Sequence, residues 1–271
     1  MDRVPPAQGS FRTCWSVILT PPTEHRLAGI TLLEYTYKMK IAVVTGANRG
    51  LGAGFVEDLI ARGYVVYATM RSTDSYIASS QNILPITLDI TDDDSILSLK
   101  KHIESDGNKI DIIINNAGTN SNSATGGKGE LVNNLESLDR STLNEMFNTN
   151  STSALMIIKE LHDLCAPNAL IINISSDRAS FHDEFDNSSA NYGYRASKIA
   201  LNMFSFVLPT DLREDIRVVA LHPGDIETDM NPGGYTKPID AAEQIYKNIV
   251  TNWKPEFNGA FVRFNGELYP L

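Results

Sequence analysis

The chain has 271 residues, 42% of them hydrophobic, two cysteines and a formal net charge of −10. That length and apolar content suffice for the core of one α/β domain, and the acidic balance, with no run of Lys and Arg, excludes a nucleic-acid surface of the usual basic kind. Cys14 and Cys165 fit neither a disulfide framework nor a metal-ligand spacing, which points to a reducing, cytoplasmic setting, and the longest apolar run, Ile199 to Leu208, is far shorter than the roughly 20 residues that span a bilayer.

Residues 1 to 38 carry the paired prolines Pro5-Pro6 and Pro21-Pro22 and no sustained periodicity, so they read as a poorly ordered N-terminal extension. The apolar piece Cys14 to Leu19 is short for a signal-peptide core, and Asp2, Glu24 and Glu34 speak against a transit peptide. The first clear strand begins just after Met39, so the expectation is that translation starts there.

From Lys40 onward, short β-branched runs alternate with longer helical segments, which predicts a parallel sheet covered on both faces. Seven strands are expected, at Lys40 to Thr45, Tyr64 to Thr69, Leu84 to Leu88, Ile110 to Asn115, Ala169 to Ile174, Ile216 to Leu221 and Gly259 to Phe264. Helices are expected at Leu51 to Arg62, Asp92 to Ser105, Ser141 to Cys165, Tyr192 to Leu208 and Ile239 to Thr251, with Gly63 as a helix terminator. Residues 39–271 thus read as a single-domain Rossmann fold, a doubly wound seven-stranded parallel sheet.

The first strand leads into Gly46-Ala47-Asn48-Arg49-Gly50-Leu51-Gly52 and then a helix. Glycines in such a turn let backbone approach a pyrophosphate, and the helix N-terminus directs its unpaired N–H groups at the anion. The spacing G-x-x-x-G-x-G is a variant of the dinucleotide fingerprint. An acidic residue about 20 positions on would favour NAD. Here the second strand ends Ala68-Thr69-Met70-Arg71, and Arg71 with Arg49 offers planar donors to a 2′-phosphate, which favours NADP(H).

Tyr194 and Lys198 lie four residues apart in Tyr192-Gly193-Tyr194-Arg195-Ala196-Ser197-Lys198. Ala196, Ile199, Ala200, Met203 and Val207 recur at helical spacing, so the phenol and the ammonium share a helix face. A phenol with an ordinary pKa of about 10 needs a nearby cation to exchange protons at neutral pH, and Lys198 is expected to lower it.

Thr45 to Gly52, Asn115-Asn116-Ala117-Gly118, Asn150, Ser175-Ser176, Tyr194 with Lys198, and Pro223-Gly224 together resemble the short-chain dehydrogenase/reductase family, in order over residues 40 to 271. The stretch Tyr194 to Met203, with His222-Pro223-Gly224 and Thr228-Asp229-Met230, is most similar to the branch of C-factor and sniffer-type carbonyl reductases. The resemblance implies that Tyr194 is the general acid, that Lys198 tunes it and holds the nicotinamide ribose, that Ser176 holds the carbonyl oxygen, and that Asn150 positions a relay water. It also implies cofactor contacts from Gly46, Asn48, Arg49, Gly50, Leu51, Gly52, Arg71, Asp89 with Ile90, Asn116, Ala117, Gly118, Pro223, Gly224 and Thr228. Alternatives stay open: Asn148 for Asn150, Ser175 for Ser176, Tyr192 for Tyr194 (without a cation four residues on), and for Asp89 a turn ahead of Thr91, a plausible helix cap.

The reading is an oxidoreductase that reduces a ketone or aldehyde. Its alternative is a dinucleotide-binding sensor without turnover, disfavoured by the intact set Asn150, Ser176, Tyr194 and Lys198. An epimerase is disfavoured by the glycine spacing and the short C-terminal region. The partner is a small carbonyl or alcohol substrate, with no metal, nucleic acid or membrane; family members pair through the helices Ser141 to Cys165 and Tyr192 to Leu208, and others are monomers. The acidic stretch with Asp183, Glu184 and Asp186 lengthens the loop before Tyr194, Asp225 argues against a wholly apolar substrate, and Asn231 to Tyr235 reads as a mobile lid.

Overall fold

Strands made of largely continuous apolar runs must be covered on both faces, and here they are. The computed structural model describes residues 39–120, 135–182 and 191–271; the extension 1–38 and the loop carrying Asp183, Glu184 and Asp186 lie outside the described residues. Strands β1 (Lys40–Thr45), β2 (Tyr64–Met70), β3 (Ile83–Thr87), β4 (Ile110–Asn115), β5 (Cys165–Ile174), β6 (Arg217–His222) and β7 (Phe261–Arg263) form one parallel sheet in the order β3-β2-β1-β4-β5-β6-β7. The order reverses between β1 and β4, where Val44 pairs with Ile114, and the crevice beyond such a reversal is where ligands bind open α/β sheets.

The period-2 alternation of β1 divides the core. Ala42 and Val44 join Phe55, Leu59, Ala242 and Ile245 on one face; Ile41 and Val43 join Ile96, Leu99, Ile157 and Leu161 on the other. The first face is covered by α1 (Gly50–Ala61) and α6 (Pro238–Ile245), the second by α2 (Asp93–Ser105) and α4 (Ser153–Leu161). Gly63 ends α1 in a left-handed conformation, as expected of a terminator. Among the described residues no helix is long and apolar enough to cross a membrane.

Several boundaries differ from expectation. The cap of α2 is Asp92, whose side chain accepts from the Asp94 N–H, and not Thr91. The expected helix Ser141 to Cys165 is α3 (Arg140–Phe147), a π-helical turn (Asn148–Thr152), α4, and a 3-10 turn (His162–Leu164). Cys165 then opens β5 and pairs with Ile110; the register shifts before Leu170, across Pro167 and the left-handed Asn168. The strand expected at Gly259 to Phe264 narrows to Phe261–Arg263, and the last helix ends in a π-helical turn, Tyr246–Thr251.

The helix α5 (Tyr192–Val207) inverts the usual pattern. Its buried residues are Gly193, Ser197, Lys198, Leu201, Asn202 and Ser205, whereas Met203 and Val207 of the apolar stripe are exposed. Polar partners hold the inner face: Asn115 Nδ2 donates to Asn173 Oδ1 and Asn173 Nδ2 to Ser205 Oγ, both at 2.9 Å. This chain of buried amides fixes β4, β5 and α5 to one another, because breaking it would strand polar groups in the core.

Candidate active site

The glycine-rich turn is tied to the end of β4. Gly46 has φ +64°, and Asn116 Nδ2 donates to the Thr45 carbonyl at 2.9 Å while its N–H, with that of Ala117, donates to Thr45 Oγ1 at 3.0 Å. A Cβ on Gly52 would lie 2.1 Å from the Gly46 carbonyl oxygen, so only glycine allows this closure. Asn116 is therefore a strut of the turn. Leu51 sits in the core, leaving its backbone for a ligand, whereas Asn48 and Arg49 are exposed. The N-cap of α1, Arg49, makes no side-chain capping hydrogen bond to the leading N–H groups of the helix.

Arg71 follows β2 and is exposed. Arg49 reaches the other way: Nη1 pairs with Asp229 Oδ2 at 2.8 Å. Asp89 Oδ1 accepts from the Thr91 N–H at 2.9 Å and its hydroxyl at 2.7 Å, contacts that hold its carboxyl below the usual range. Asp89 thus makes the turn that was its alternative, and Ile90 packs against the core. Past β6, Gly224 has φ +91°, and Thr228 approaches Gly50, with Cγ2 3.2 Å from where a Cβ would stand. The segment expected as a mobile lid is bonded back on itself: Asn231 Nδ2 donates to Asp225 Oδ1, and Ile226 pairs with Thr236.

The proton-handling residues gather at the ends of β4 and β5. Asn150, in the π-helical turn, is 2% exposed. Its Oδ1 accepts from the Thr119 N–H at 2.7 Å; its Nδ2 donates to the Thr119 carbonyl at 2.9 Å and to Ser197 Oγ at 3.0 Å. Asn148 instead supplies its carbonyl to Ser153 Oγ. Lys198 Nζ donates to the Ile174 carbonyl at 2.7 Å and lies 5.8 Å from the Tyr194 ring centroid. A Cβ on Gly118 would stand 3.2 Å from Asn150 Oδ1 and 3.6 Å from Lys198 Nζ, so that loop closes over both. Ser176 Oγ donates to Asp177 Oδ1 at 2.8 Å and accepts from the Arg178 N–H at 3.2 Å; Ser175 is buried with its hydroxyl unpartnered, and Tyr192 is exposed.

One expectation fails in sign. Burial pushes the Tyr194 phenol up, with Asp177 adding to the rise and Ser176 and Arg178 opposing it. Burial pulls Lys198 down to about 8. Desolvation of each charged form outweighs the attraction expected between them, since Lys198 spends its ammonium on a backbone carbonyl. Thr119, Ser197 and Asp177 were missed in the sequence; nothing in its periodicity marks them, though Asp177 directly follows the paired serines.

A family model for short chain dehydrogenase matches residues 40–237. A 1-hydroxy-2-glutathionyl-2-methyl-3-butene dehydrogenase of Rhodococcus is 28% identical over 234 residues, 84% of this chain and 98% of the relative. The crystal structure of an NADPH-bound carbonyl reductase from chicken fatty liver is 27% identical, and the carbonyl reductase Sniffer of D. melanogaster 26%. Each superposes with a TM-score of 0.76 over 86% of this chain and 100% of its own. With its glycine turn, its sheet order and this match over most of its length, the chain belongs to the short-chain dehydrogenase family and is an oxidoreductase of the carbonyl reductase-like branch.

Proposed function

We propose that the protein reduces a ketone or aldehyde to an alcohol with NADPH. The observation that carries this reading is the convergence of Ser176, Tyr194, Lys198 and Asn150 beside the β1–β4 reversal, one loop away from a glycine turn closed too tightly for any other residue. The uncapped N-terminus of α1 and the Gly46 to Gly52 turn suit a pyrophosphate, Arg71 and Arg49 a 2′-phosphate, and Gly118, Pro223, Gly224 and Thr228 the nicotinamide end. Bound NADPH supplies the hydride that reduces the carbonyl carbon.

Tyr194 gives its hydroxyl proton to the carbonyl oxygen, which becomes the alcohol, and is left as phenolate. The phenol holds its proton at neutral pH and, with its pKa raised by burial, is a weaker acid than a free phenol, so it gives the proton up only as negative charge builds on the carbonyl oxygen. Ser176 steadies the oxygen as charge builds on it. Lys198, titrating near neutrality, passes a proton back to the phenolate, and Asn150 aligns the water that refills it from solvent. Asp225 is oriented within its own loop by the Asn231 amide and keeps its negative charge at the surface.

The test is NADPH oxidation by purified protein against a panel of aldehydes, ketones and quinones. Turnover with at least one carbonyl class is expected; tight NADPH binding with silence across the panel would assign the fold to cofactor sensing instead.

A further inference from the structure

The first turn of α5 carries Tyr194, and no cap holds it. The N-cap residue Asn191 is left-handed at φ +42° and makes no side-chain bond to the leading N–H groups. A helix end in that condition depends on what packs beside it.

Two lateral contacts do the holding. Asn150 Nδ2 donates to Ser197 Oγ at 3.0 Å, and Ser197 Oγ donates to the Tyr194 carbonyl at 2.8 Å. One turn earlier, Met146 meets Gly193: a Cβ there would stand 2.6 Å from Met146 Sδ, 3.1 Å from Leu143 Cδ2 and 3.7 Å from Met146 Cβ. Met146 is 1% exposed, so its thioether has no open space to retreat into. Gly193 has ordinary helical backbone with no positive φ, where alanine is the better helix former, so the neighbour and not the conformation calls for glycine. The two contacts fall in step. Met146 and Asn150 lie four residues apart on one side, Gly193 and Ser197 four apart on the other, and they immediately precede Tyr194 and Lys198.

We propose that Met146 is a positioning residue for the reaction, which acts on Tyr194 through Gly193 and, with the Asn150–Ser197 contact, clamps the first turn of α5 so that the phenol stands at a fixed place in the crevice. Proton transfer to a carbonyl oxygen demands a donor held within hydrogen-bond reach, and a small misplacement is expensive in rate. The inference rests on the reductase reading, and it assigns to Met146 no contact with substrate or cofactor.

The test is initial rates on a carbonyl that the wild type reduces, beside an NADPH titration and melting curves. Met146→Ala should lower kcat about tenfold while KM and NADPH affinity stay within about twofold. Met146→Leu, which conserves volume, should return most of that loss. Gly193→Ala alone drives a methyl against the thioether and should also lower kcat; added to Met146→Ala it fills the vacated space and should raise kcat about threefold over Met146→Ala. The Gly193→Ala and Met146→Leu proteins carry the test if Met146→Ala folds poorly. Wild-type kcat in Met146→Ala or in Gly193→Ala, with only the melting temperature lowered, would make the contact plain packing and overturn the proposal. So would a loss that neither Met146→Leu nor the double variant restores. A wild type that binds NADPH and reduces no carbonyl would sink the reductase reading and this inference with it, whereas the outcomes above overturn the inference alone.

Discussion

Arg49 of the glycine turn and Asp229 of the loop after β6 form an ion pair at 2.8 Å across the mouth of the crevice. Both side chains are mostly exposed, so the pair contributes little stability, on the order of 0 to 1 kcal/mol. It does decide where Arg49 points. If Arg49 serves the 2′-phosphate it must leave Asp229, and Asp229→Asn should tighten NADPH binding by about two- to fivefold while leaving NADH unchanged. Arg71→Ala should weaken NADPH relative to NADH by about tenfold. Fluorescence titration with both cofactors checks each; unchanged preference in both variants would remove the arginines from phosphate recognition.

Tyr194→Phe takes away the transferable proton and keeps the ring. Carbonyl reduction should fall by about a hundredfold or more with NADPH affinity retained. Initial rates beside a binding titration make the comparison, and survival of most activity would reassign the acid.

Lys198 ties function to a stability cost with a definite pH signature. Its folded pKa of about 8 lies below the ordinary lysine value of about 10.4. Below pH 8 folded and unfolded chains both hold the proton and the native state carries the full desolvation cost. Between the two values the unfolded chain binds more protons, so the contribution of Lys198 to stability rises with pH across that window. Lys198→Met should therefore melt higher than wild type at pH 7, with the gap closing towards pH 10, and should lose turnover. Melting temperatures at both pH values test this; a gap independent of pH would contradict the depressed lysine.

Gly52→Ala places a methyl 2.1 Å from the Gly46 carbonyl oxygen, a backbone atom that Asn116 also holds. Overpacking of this kind costs about 1 to 3 kcal/mol, and here it must open the cofactor turn. A lower melting temperature together with loss of NADPH binding is expected; a variant that binds NADPH normally would show that the turn has slack.

The outer face of α5 exposes Met203, Phe206 and Val207 at 54%, 64% and 46%. An apolar stripe of this kind suits pairing of two copies of the chain. Sedimentation should give a dimer that Met203→Glu with Phe206→Glu dissociates, and a wild-type monomer at all concentrations would return the stripe to plain surface.

The sheet and the glycine turn were legible in the sequence because their signals are local: uninterrupted β-branched runs, glycines at fixed spacing, Gly63 after a helical period. The inner face of α5 was not, since amphipathicity would bury Met203 and Val207, while the structure buries Lys198, Asn202 and Ser205 beneath them. Burial of Lys198 and Ser205 follows hydrogen bonds to the Ile174 carbonyl and to Asn173 that no residue count shows, while the Asn202 amide is buried without a partner. The hydrogen bonds from Asn231 to Asp225 and Ile226 within the loop were not marked by its glycines, which signal only where the backbone is free to turn.

The π-helical turn at Asn148–Thr152 carries one residue more than a regular helix would need, and Asn150 sits inside it. Removing a residue there would leave a straighter rod with better internal bonding, but it would rotate everything on one side by about 100° relative to the other. Either Met146 would leave Gly193, or the amide of Asn150 would swing away from Thr119 and Ser197. The irregularity lets one rod satisfy two neighbours whose angular demands disagree, and a shortened version should gain helical regularity while losing the aligned amide.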